Sequence, residues 1–302
     1  MLSYDTSEKP LALSKNGDVI YYHKHAIENF DFLTPDPKDK LSKEDQEKVY
    51  RAIKGTKDEH FPSKALSYFH KAKVDMKEKL QKTISVKDEK DSYFPYPLNE
   101  AHQRQFLILT GASGSGKSYW CSQYMKIYHQ MFPKNKIIIF SKKNFDPAYE
   151  EKNIDLVEKK ILIRIPLDDE FLEENLDTKD FKNTLVVFDD IENIPNKAIQ
   201  KKVYALKDNL SQTGRVEGIY IILCNHMGMN FKETRIDLGE ADGVVVFQST
   251  NPGQRDNLLI KYCGLSKDQV LEVGNLLKNS RWCFVKKTHP SYIVTEYRVT
   301  LF

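Results

Sequence analysis

The sequence predicts an α/β fold in which a mostly parallel sheet is flanked by helices, with a mixed α/β or helical accessory region at the N-terminus. Short apolar runs of strand length recur from residue 106 onward. The middle runs are continuously apolar, as in strands that are covered on both faces. Helix-like stretches separate most of these runs, which is the pattern of crossover connections. With 302 residues, of which 40% are hydrophobic, the chain can form one large domain or two modest ones.

Residues 1–98 form the predicted accessory region, a hairpin plus helices. The run LALSKNGDVIYYH (11–23) predicts a β-hairpin with Asn16 and Gly17 at its turn. The run LSKEDQEKVYRAIKG (41–55) predicts a helix that Ser42 caps and Gly55 ends. The run PSKALSYFHKAKVDMKEKLQKTI (62–84) predicts a second helix with alternating charges on its outer face.

Residues 99–302 form the predicted main domain, which closes with a β-hairpin. The predicted strands are FLILT (106–110), KIIIFS (136–141), KILIRI (160–165), TLVVFDD (184–190), GIYIILCN (218–225), GVVVFQ (243–248), RWCFVKK (281–287) and YIVTEYRVTLF (292–302). The predicted helices are 117–132, 196–209, 253–262 and 266–278. Such alternation favours a parallel sheet. The last two strand runs alternate around THPS (288–291), which predicts the antiparallel hairpin.

The stretch GASGSGKS (111–118) matches G-x-x-x-x-G-K-[ST] at every fixed position, follows a predicted strand and opens a predicted helix. Such a loop cradles a triphosphate with backbone N–H groups, and the N-terminus of the helix adds its dipole. Lys117 would reach the β- and γ-phosphates, and the Ser118 hydroxyl would bind Mg²⁺. The predicted nucleotide-binding residues are Gly111, Ala112, Ser113, Gly114, Ser115, Gly116, Lys117, Ser118 and Tyr119.

A second motif, TLVVFDDIEN, places two carboxylates at the end of a predicted strand. In proteins with such a phosphate loop, a carboxylate at this position meets the metal, and the next acidic residue can activate the attacking water. We therefore predict Asp189 as a metal ligand and Asp190 as the catalytic base, with Glu192 as the competing base. An acidic residue placed to activate water favours hydrolysis over transfer to a small molecule.

A third element, SQTGRVEGIYIILCNH (211–226), predicts a strand that lies beside both earlier ones. Its carboxyl end would then lie near the γ-phosphate, where Asn225 or His226 could sense or position the attacking water. Arg215 lies just before the strand, where it could reach the nucleotide of a neighbouring subunit.

Together, GASGSGKS, VVFDD and the Gly-Arg element before a strand with a polar end resemble the FtsK–HerA superfamily of DNA-pumping ATPases, which have a RecA-like (ASCE) P-loop NTPase fold. Within it the chain is most similar to the genome-packaging ATPases of large DNA viruses and virophages, the poxvirus-type packaging ATPases. This resemblance implies ATP and Mg²⁺ as cofactors and an arginine that acts across a subunit boundary, with Arg215 as first choice and Arg235 as second. The chain departs from the family pattern where Asn225 and His226 replace a glutamine and Val216 replaces a histidine.

The same resemblance implies a motor that packages viral DNA into a capsid and works as a ring of about five or six subunits. The partners implied are double-stranded DNA, held by its backbone without sequence reading, and capsid proteins. The loops 141–153 and 228–235 are candidates for the DNA contact. We expect the protein in the host cell cytoplasm, a viral factory or the virion.

Composition adds weaker constraints. The formal net charge of +3 neither demands nor excludes nucleic acid. No run approaches the length of a membrane span, and no secretory signal is visible. The four cysteines are widely spaced, which favours buried thiols in a reducing compartment over a zinc site or disulfides.

Two alternative functions stay open from the sequence. A nucleotide or small-molecule kinase shares the phosphate loop but needs an arginine-rich lid and an acceptor pocket, and no arginine cluster is visible. An ATP-binding switch or scaffold without motor activity would recruit partners through residues 1–100.

Overall fold

The computed structural model describes residues 2–4, 9–23, 42–53, 65, 69, 85–87, 92–97, 104–226 and 235–302. The second predicted N-terminal helix (62–84) lies almost entirely outside these residues. Within them, the strands form two sheets, one of four strands in the order β1-β3-β2-β5 and one of ten in the order β4-β14-β13-β12-β11-β6-β10-β9-β7-β8. In chain order the strands are β1 (Leu2–Ser3), β2 (Lys9–Ser14), β3 (Val19–Tyr22), β4 (Ser85–Lys87), β5 (Tyr93–Pro95), β6 (Phe106–Thr110), β7 (Ile137–Ser141), β8 (Leu162–Pro166), β9 (Leu185–Asp189), β10 (Tyr220–Asn225), β11 (Gly243–Phe247), β12 (Trp282–Lys286), β13 (Tyr292–Thr295) and β14 (Arg298–Leu301).

The described helices are α1 (Lys43–Ile53), α2 (Lys117–Met131), α3 (Ile154–Glu158), α4 (Asp169–Glu173), α5 (Lys197–Thr213), α6 (Arg235–Glu240), α7 (Pro252–Cys263) and α8 (Lys267–Leu276). Five of them (α1, α2, α5, α7 and α8) lie close to predicted positions, whereas the short helices α3, α4 and α6 were not predicted. The local sequence explains where several of these helices begin and end. Asn251 directly precedes α7, and its side chain accepts from two backbone N–H groups in the first turn of this helix. Gly264, in the left-handed conformation, follows the end of α7. Ser266 and Gln269 form a capping box at α8.

The central strands of the large sheet are parallel, as the continuously apolar runs predict. Strand β10 pairs in parallel with β6 on one side and with β9 on the other. This places the strand after the Gly-Arg element between the two motif-bearing strands, which is the order expected of a RecA-like P-loop NTPase. The mostly parallel α/β fold predicted from the sequence is therefore confirmed.

The end of the chain differs in one respect from the sequence prediction. The predicted antiparallel pairing of the last two runs is present between β12 and β13. The run 292–302, however, is not one strand, because it turns at Glu296 and Tyr297 into β14, which pairs back onto β13. The prediction of a single final strand was wrong, since neither turn residue is a glycine or proline that would mark the break.

Two apolar layers cover the large sheet, one on each face. Along β6, Phe106 and Ile108 belong to the layer that contains α5 and α7, whereas Leu107 and Leu109 belong to the layer that contains α2. Alternate residues of a strand point to opposite faces, so one short apolar run supplies both layers. Because the central strands are parallel, their C-terminal ends lie together at one edge of the sheet, where ligands bind in folds of this kind.

The N-terminal hairpin packs on the α2 side of the large sheet. Its turn lies at the predicted position, with Gly17 at a φ of 93° between β2 and β3. Leu11 and Ile20 share a buried cluster with Trp120 of α2. Strand β4 extends the large sheet through β14. The predicted domain boundary at residue 98 stays a prediction.

Candidate active site

The phosphate loop (residues 111–118) joins the end of β6 to the start of α2. Gly114 and Gly116 have φ values of 75° and 103°. These left-handed conformations strain any residue that carries a Cβ, which explains why the sequence places glycine at both positions. The loop therefore turns tightly onto the N-terminus of a 15-residue helix, where free N–H groups and the helix dipole favour an anion.

Lys117 holds its ammonium inside this loop. The residue is only 6% exposed. Its Nζ donates to the Gly111 carbonyl at 2.7 Å and to the Ala112 carbonyl at 3.2 Å, and it lies 3.5 Å from His226 Nδ1. These three groups carry no formal negative charge when the imidazole is neutral, so the ammonium is available to phosphate oxygens.

Asp189 ends β9 and is buried, with 2% exposure. Among the residues that the structure describes, its Oδ2 has no hydrogen-bond partner. Burial, and then the charge of Asp190, raise the pKa of Asp189 to about 6. A buried carboxylate oxygen without a partner is what a hard cation such as Mg²⁺ requires, and the Ser118 hydroxyl is of the same ligand class.

The described residues include no cluster of three acidic, histidine or cysteine side chains that could hold a metal by itself. A magnesium ion that shares its ligands with substrate phosphates needs only one or two protein groups. The residues at this edge therefore fit Mg²⁺ together with a triphosphate, with Ser118 and Asp189 as its protein ligands.

Asp190 and Glu192 are both bound to His226. Asp190 Oδ1 lies 2.7 Å from His226 Nε2, and Glu192 Oε1 accepts from the His226 backbone N–H at 2.5 Å. The His226 ring lies between Lys117 and Asp190, although Asp190 Oδ1 has no hydrogen-bond partner of normal geometry among the described residues. A chain of close polar contacts thus links Lys117 to Asp190 through the imidazole of His226.

The register of β10 explains how these groups meet. Asn225 lies opposite Thr110 of β6, and Cys224 lies opposite Asp189 of β9. The Asn225 carbonyl accepts from the Gly111 N–H at 3.4 Å, and the Asn225 side chain is buried. The sequence predicted that the end of this strand would lie beside both motifs, and the strand pairing confirms it.

The two candidate arginines lie elsewhere. Arg215 is exposed and precedes β10, so it lies at the sheet edge opposite to the phosphate loop, about six residues or roughly 20 Å away along the strand. A contact between Arg215 and a nucleotide would therefore involve another subunit. Arg235 begins α6, but its side chain and the candidate loop residues 228–234 lie outside the described part of the chain. Their proposed roles stay predictions.

The site also contains charged residues that the sequence motifs did not reveal. Arg164, on β8, donates from Nε to Glu150 Oε1 at 2.5 Å, and its guanidinium lies over the Tyr149 ring at 5.6 Å. Lys143, after β7, pairs with Asp146 at 3.1 Å. The positive charges of Lys143 and Arg164 partly oppose the rise in the pKa of Asp189 that burial and Asp190 cause. The one signal in the sequence is an arginine inside the apolar run KILIRI.

Tyr149 lies between the charged residues around Arg164 and the phosphate loop. Its ring is fully buried, and its hydroxyl lies 4.0 Å from Cys224 Sγ. Burial raises the pKa of Tyr149 well above its ordinary value, and a hydrogen bond with Ser118 partly opposes this. The loop after β7 is therefore in contact with a predicted metal ligand.

The raised pKa of Asp189 predicts a stability cost in the metal-free protein. A carboxyl whose folded pKa of about 6 exceeds its ordinary 3.8 destabilises the fold above pH 6, and the cost disappears as pH falls below about 4. We expect Asp189→Asn to raise the unfolding free energy at pH 7.5 by on the order of 2–3 kcal/mol. Urea unfolding in EDTA without nucleotide measures this. The exposed Asp155→Asn is the control, and equal stability of Asp189→Asn and wild type at pH 7.5 would contradict the expectation.

The chain is similar to several known proteins. No family model matches the chain. Uncharacterized protein V3 of Sputnik virophage is 34% identical over 207 residues, which are 68% of this chain and 79% of that protein. The genome packaging NTPase B204 of Sulfolobus turreted icosahedral virus 2, solved with sulfate, is 19% identical, with 64% of this chain and 95% of that chain covered and a TM-score of 0.43. The pCW3 conjugation coupling protein TcpA, solved with ATPγS, is 10% identical, with 67% and 62% covered and a TM-score of 0.45.

Proposed function

We propose that this chain, which belongs to the same family as Uncharacterized protein V3 of Sputnik virophage, hydrolyses ATP and uses the energy to move double-stranded DNA. The movement packages viral genomic DNA into a capsid. One observation carries the proposal. Lys117, Asp189 and Asp190 lie at one edge of the sheet, and His226 joins the lysine to the second carboxylate. B204 is named as a genome-packaging NTPase, which is a protein of the class proposed here.

In ATP hydrolysis each side chain of the candidate site has one role. The phosphate loop and Lys117 bind the β- and γ-phosphates and stabilise the charge that develops on the transferred phosphoryl group. Mg²⁺, when bound at Ser118 and Asp189, neutralises phosphate charge. Asp190 accepts a proton from the water whose oxygen attacks the γ-phosphorus, while the bond to the bridging oxygen breaks and ADP leaves. His226, whose Nε2 lies 2.7 Å from Asp190 Oδ1, positions this carboxylate.

Movement of DNA needs coupling between subunits. A ring of about five or six copies has head-to-tail contacts, in which one surface of each subunit meets a different surface of the next. Arg215 is exposed and remote from its own phosphate loop, so a ring contact could bring it to the nucleotide of a neighbour. We assign it as the arginine that acts in trans, with Arg235 as second choice.

The DNA contact is assigned to the loop 141–153. It leaves β7 at the sheet edge that carries the carboxylates, and Lys142 and Phe145 are exposed on it. Tyr149 links the same loop to the phosphate loop. Lysines there would grip phosphates of the DNA backbone without reading sequence. Capsid proteins are proposed as the further partner, and the host cytoplasm, a viral factory or the virion as the location. No helix in the described residues has the length and apolar character needed to cross a membrane.

An ATPase assay with and without DNA tests the proposal. We expect turnover to rise several-fold with double-stranded DNA of any sequence, and the stimulation to fall with salt because phosphate contacts release counterions. Lys142→Glu is expected to reduce the stimulation and to leave basal turnover unchanged. The exposed Lys201→Glu on α5 is the matched control.

The same assay separates the alternatives. A kinase would require a small acceptor molecule and would not respond to DNA. A switch or scaffold would bind ATP without turnover. Either result, in protein that binds ATP, would contradict the motor.

A further inference from the structure

A cavity of about 480 Å³ lies along α2, from Tyr119, the residue directly after the phosphate loop, to Gln130. Its walls come from one flank of α2, the turn of the N-terminal hairpin, residues 92–94, residues 281–282 and Glu296. Tyr119 and Arg281 lie at it, with the Arg281 guanidinium over the Tyr119 ring at 5.8 Å. The active-site chemistry described above does not use this cavity.

Aromatic rings form one part of the cavity wall, beside polar side chains such as Gln123 and Lys126. Phe94, Trp120 and Trp282 contact one another there, with ring centroids 4.8 Å apart for Phe94 and Trp120 and 5.4 Å apart for Phe94 and Trp282. Tyr119 adds a ring that is 46% exposed. Flat aromatic walls with a few polar groups are the usual lining of a site for a planar ring.

The orientation of a bound nucleotide in the phosphate loop directs its base toward this cavity. Its γ-phosphate end must face Asp190 and His226, and Lys117 reaches the β- and γ-phosphates. The remaining phosphate then lies at the N-terminus of α2, so the sugar and base leave the loop beside Tyr119, the residue directly after Ser118.

A second cavity, of about 350 Å³, adjoins the other side of the loop. It is lined by residues 110–113, His226 and the start of α7. Because His226 belongs to the γ-phosphate end, this second cavity lies on the wrong side for the base.

We infer that the cavity beside Tyr119 binds the purine base of the nucleotide, and that the N-terminal hairpin forms its outer wall. The base stacks on the Tyr119 ring, and Arg281, directly before β12, covers the same ring. The hairpin turn, with Asn16 and Gly17, forms another part of the cavity wall. The hairpin is thereby part of the nucleotide site, although it lies about a hundred residues before the phosphate loop. This inference rests on the proposed function, because it requires a nucleotide at the loop.

Two ligands separate base binding from phosphate binding. Titration calorimetry with Mg²⁺ measures the dissociation constants of ATP and of inorganic tripolyphosphate, which lacks sugar and base. We expect Tyr119→Ala to weaken ATP binding about tenfold, as loss of one base–aromatic stack does, and to leave tripolyphosphate binding unchanged. Tyr119→Phe should retain wild-type affinity for both ligands. Asn16→Trp, which places a large ring in the hairpin turn, should weaken ATP binding alone.

The control variants keep the two proposals distinguishable. Leu271→Ala, exposed on α8, should change neither constant. Lys117→Ala should weaken both. If Tyr119→Ala weakens both ligands equally, or neither, the base pocket is refuted while the ATPase proposal stands. If the wild-type protein binds neither ligand, both proposals fail.

Discussion

Lys117→Ala is expected to abolish ATP turnover, with a fall in kcat/KM of about 1,000-fold or more. The reason is the position of the Lys117 ammonium. It is buried in the loop and held by the carbonyls of Gly111 and Ala112, and among the residues that the structure describes no carboxylate is hydrogen-bonded to it. A charge prepared in this way stabilises phosphate oxygens without reorganisation, and alanine removes it completely. Steady-state phosphate release and nucleotide titration measure the two effects.

Two further variants sharpen this test. Lys117→Arg keeps the charge but replaces a compact ammonium with a planar guanidinium, which does not fit between two carbonyls, so we expect it to be inactive as well. Lys201→Ala removes an exposed lysine from α5 and should retain wild-type activity. Thermal unfolding must show that each variant is folded. Turnover within threefold of wild type in folded Lys117→Ala would refute the phosphate-loop assignment and the motor with it.

The parallel sheet could be predicted because its signals are local. The runs FLILT and GVVVF are buried along their whole length, and this continuous pattern distinguishes them from half-exposed strands. The glycines of the phosphate loop are an equally local signal, since Gly114 and Gly116 adopt left-handed conformations that strain residues with a Cβ. A pattern within a dozen residues sufficed for each of these predictions.

Other parts of the site depend on contacts between distant segments, and no local pattern contains them. Arg164 comes near Asp189 only because β8 and β9 both flank β7. The wall that the hairpin forms beside Tyr119 requires packing across about a hundred residues of sequence. The role of His226 as a link between Lys117 and Asp190 required the register of β10 against β6. The sequence analysis named His226 but not Arg164, and it could not place either residue relative to the carboxylates.

Asp190→Asn is expected to lower kcat by about 100- to 10,000-fold and to leave ATP affinity within about threefold of wild type. The variant is well suited to this backbone. Asp190 has a φ of 54°, and asparagine is the residue other than glycine and aspartate that best tolerates this left-handed conformation. The asparagine side chain also has nearly the same size and shape as the aspartate that it replaces beside His226. The change therefore removes basicity and charge while the geometry is kept.

Glu192→Gln is the matched comparison, because the sequence left both acidic residues open as the base. Glu192 is held by the backbone N–H of His226, and burial raises its pKa, so it is partly occupied with fixing the end of β10. Asp190 instead directly follows the predicted metal ligand and ends the polar chain from Lys117. We therefore expect Asp190→Asn to cost at least tenfold more in kcat than Glu192→Gln. Single-turnover hydrolysis measures both, and the reverse order would transfer the base role to Glu192, because proton acceptance from water requires the carboxylate nearest to the γ-phosphate.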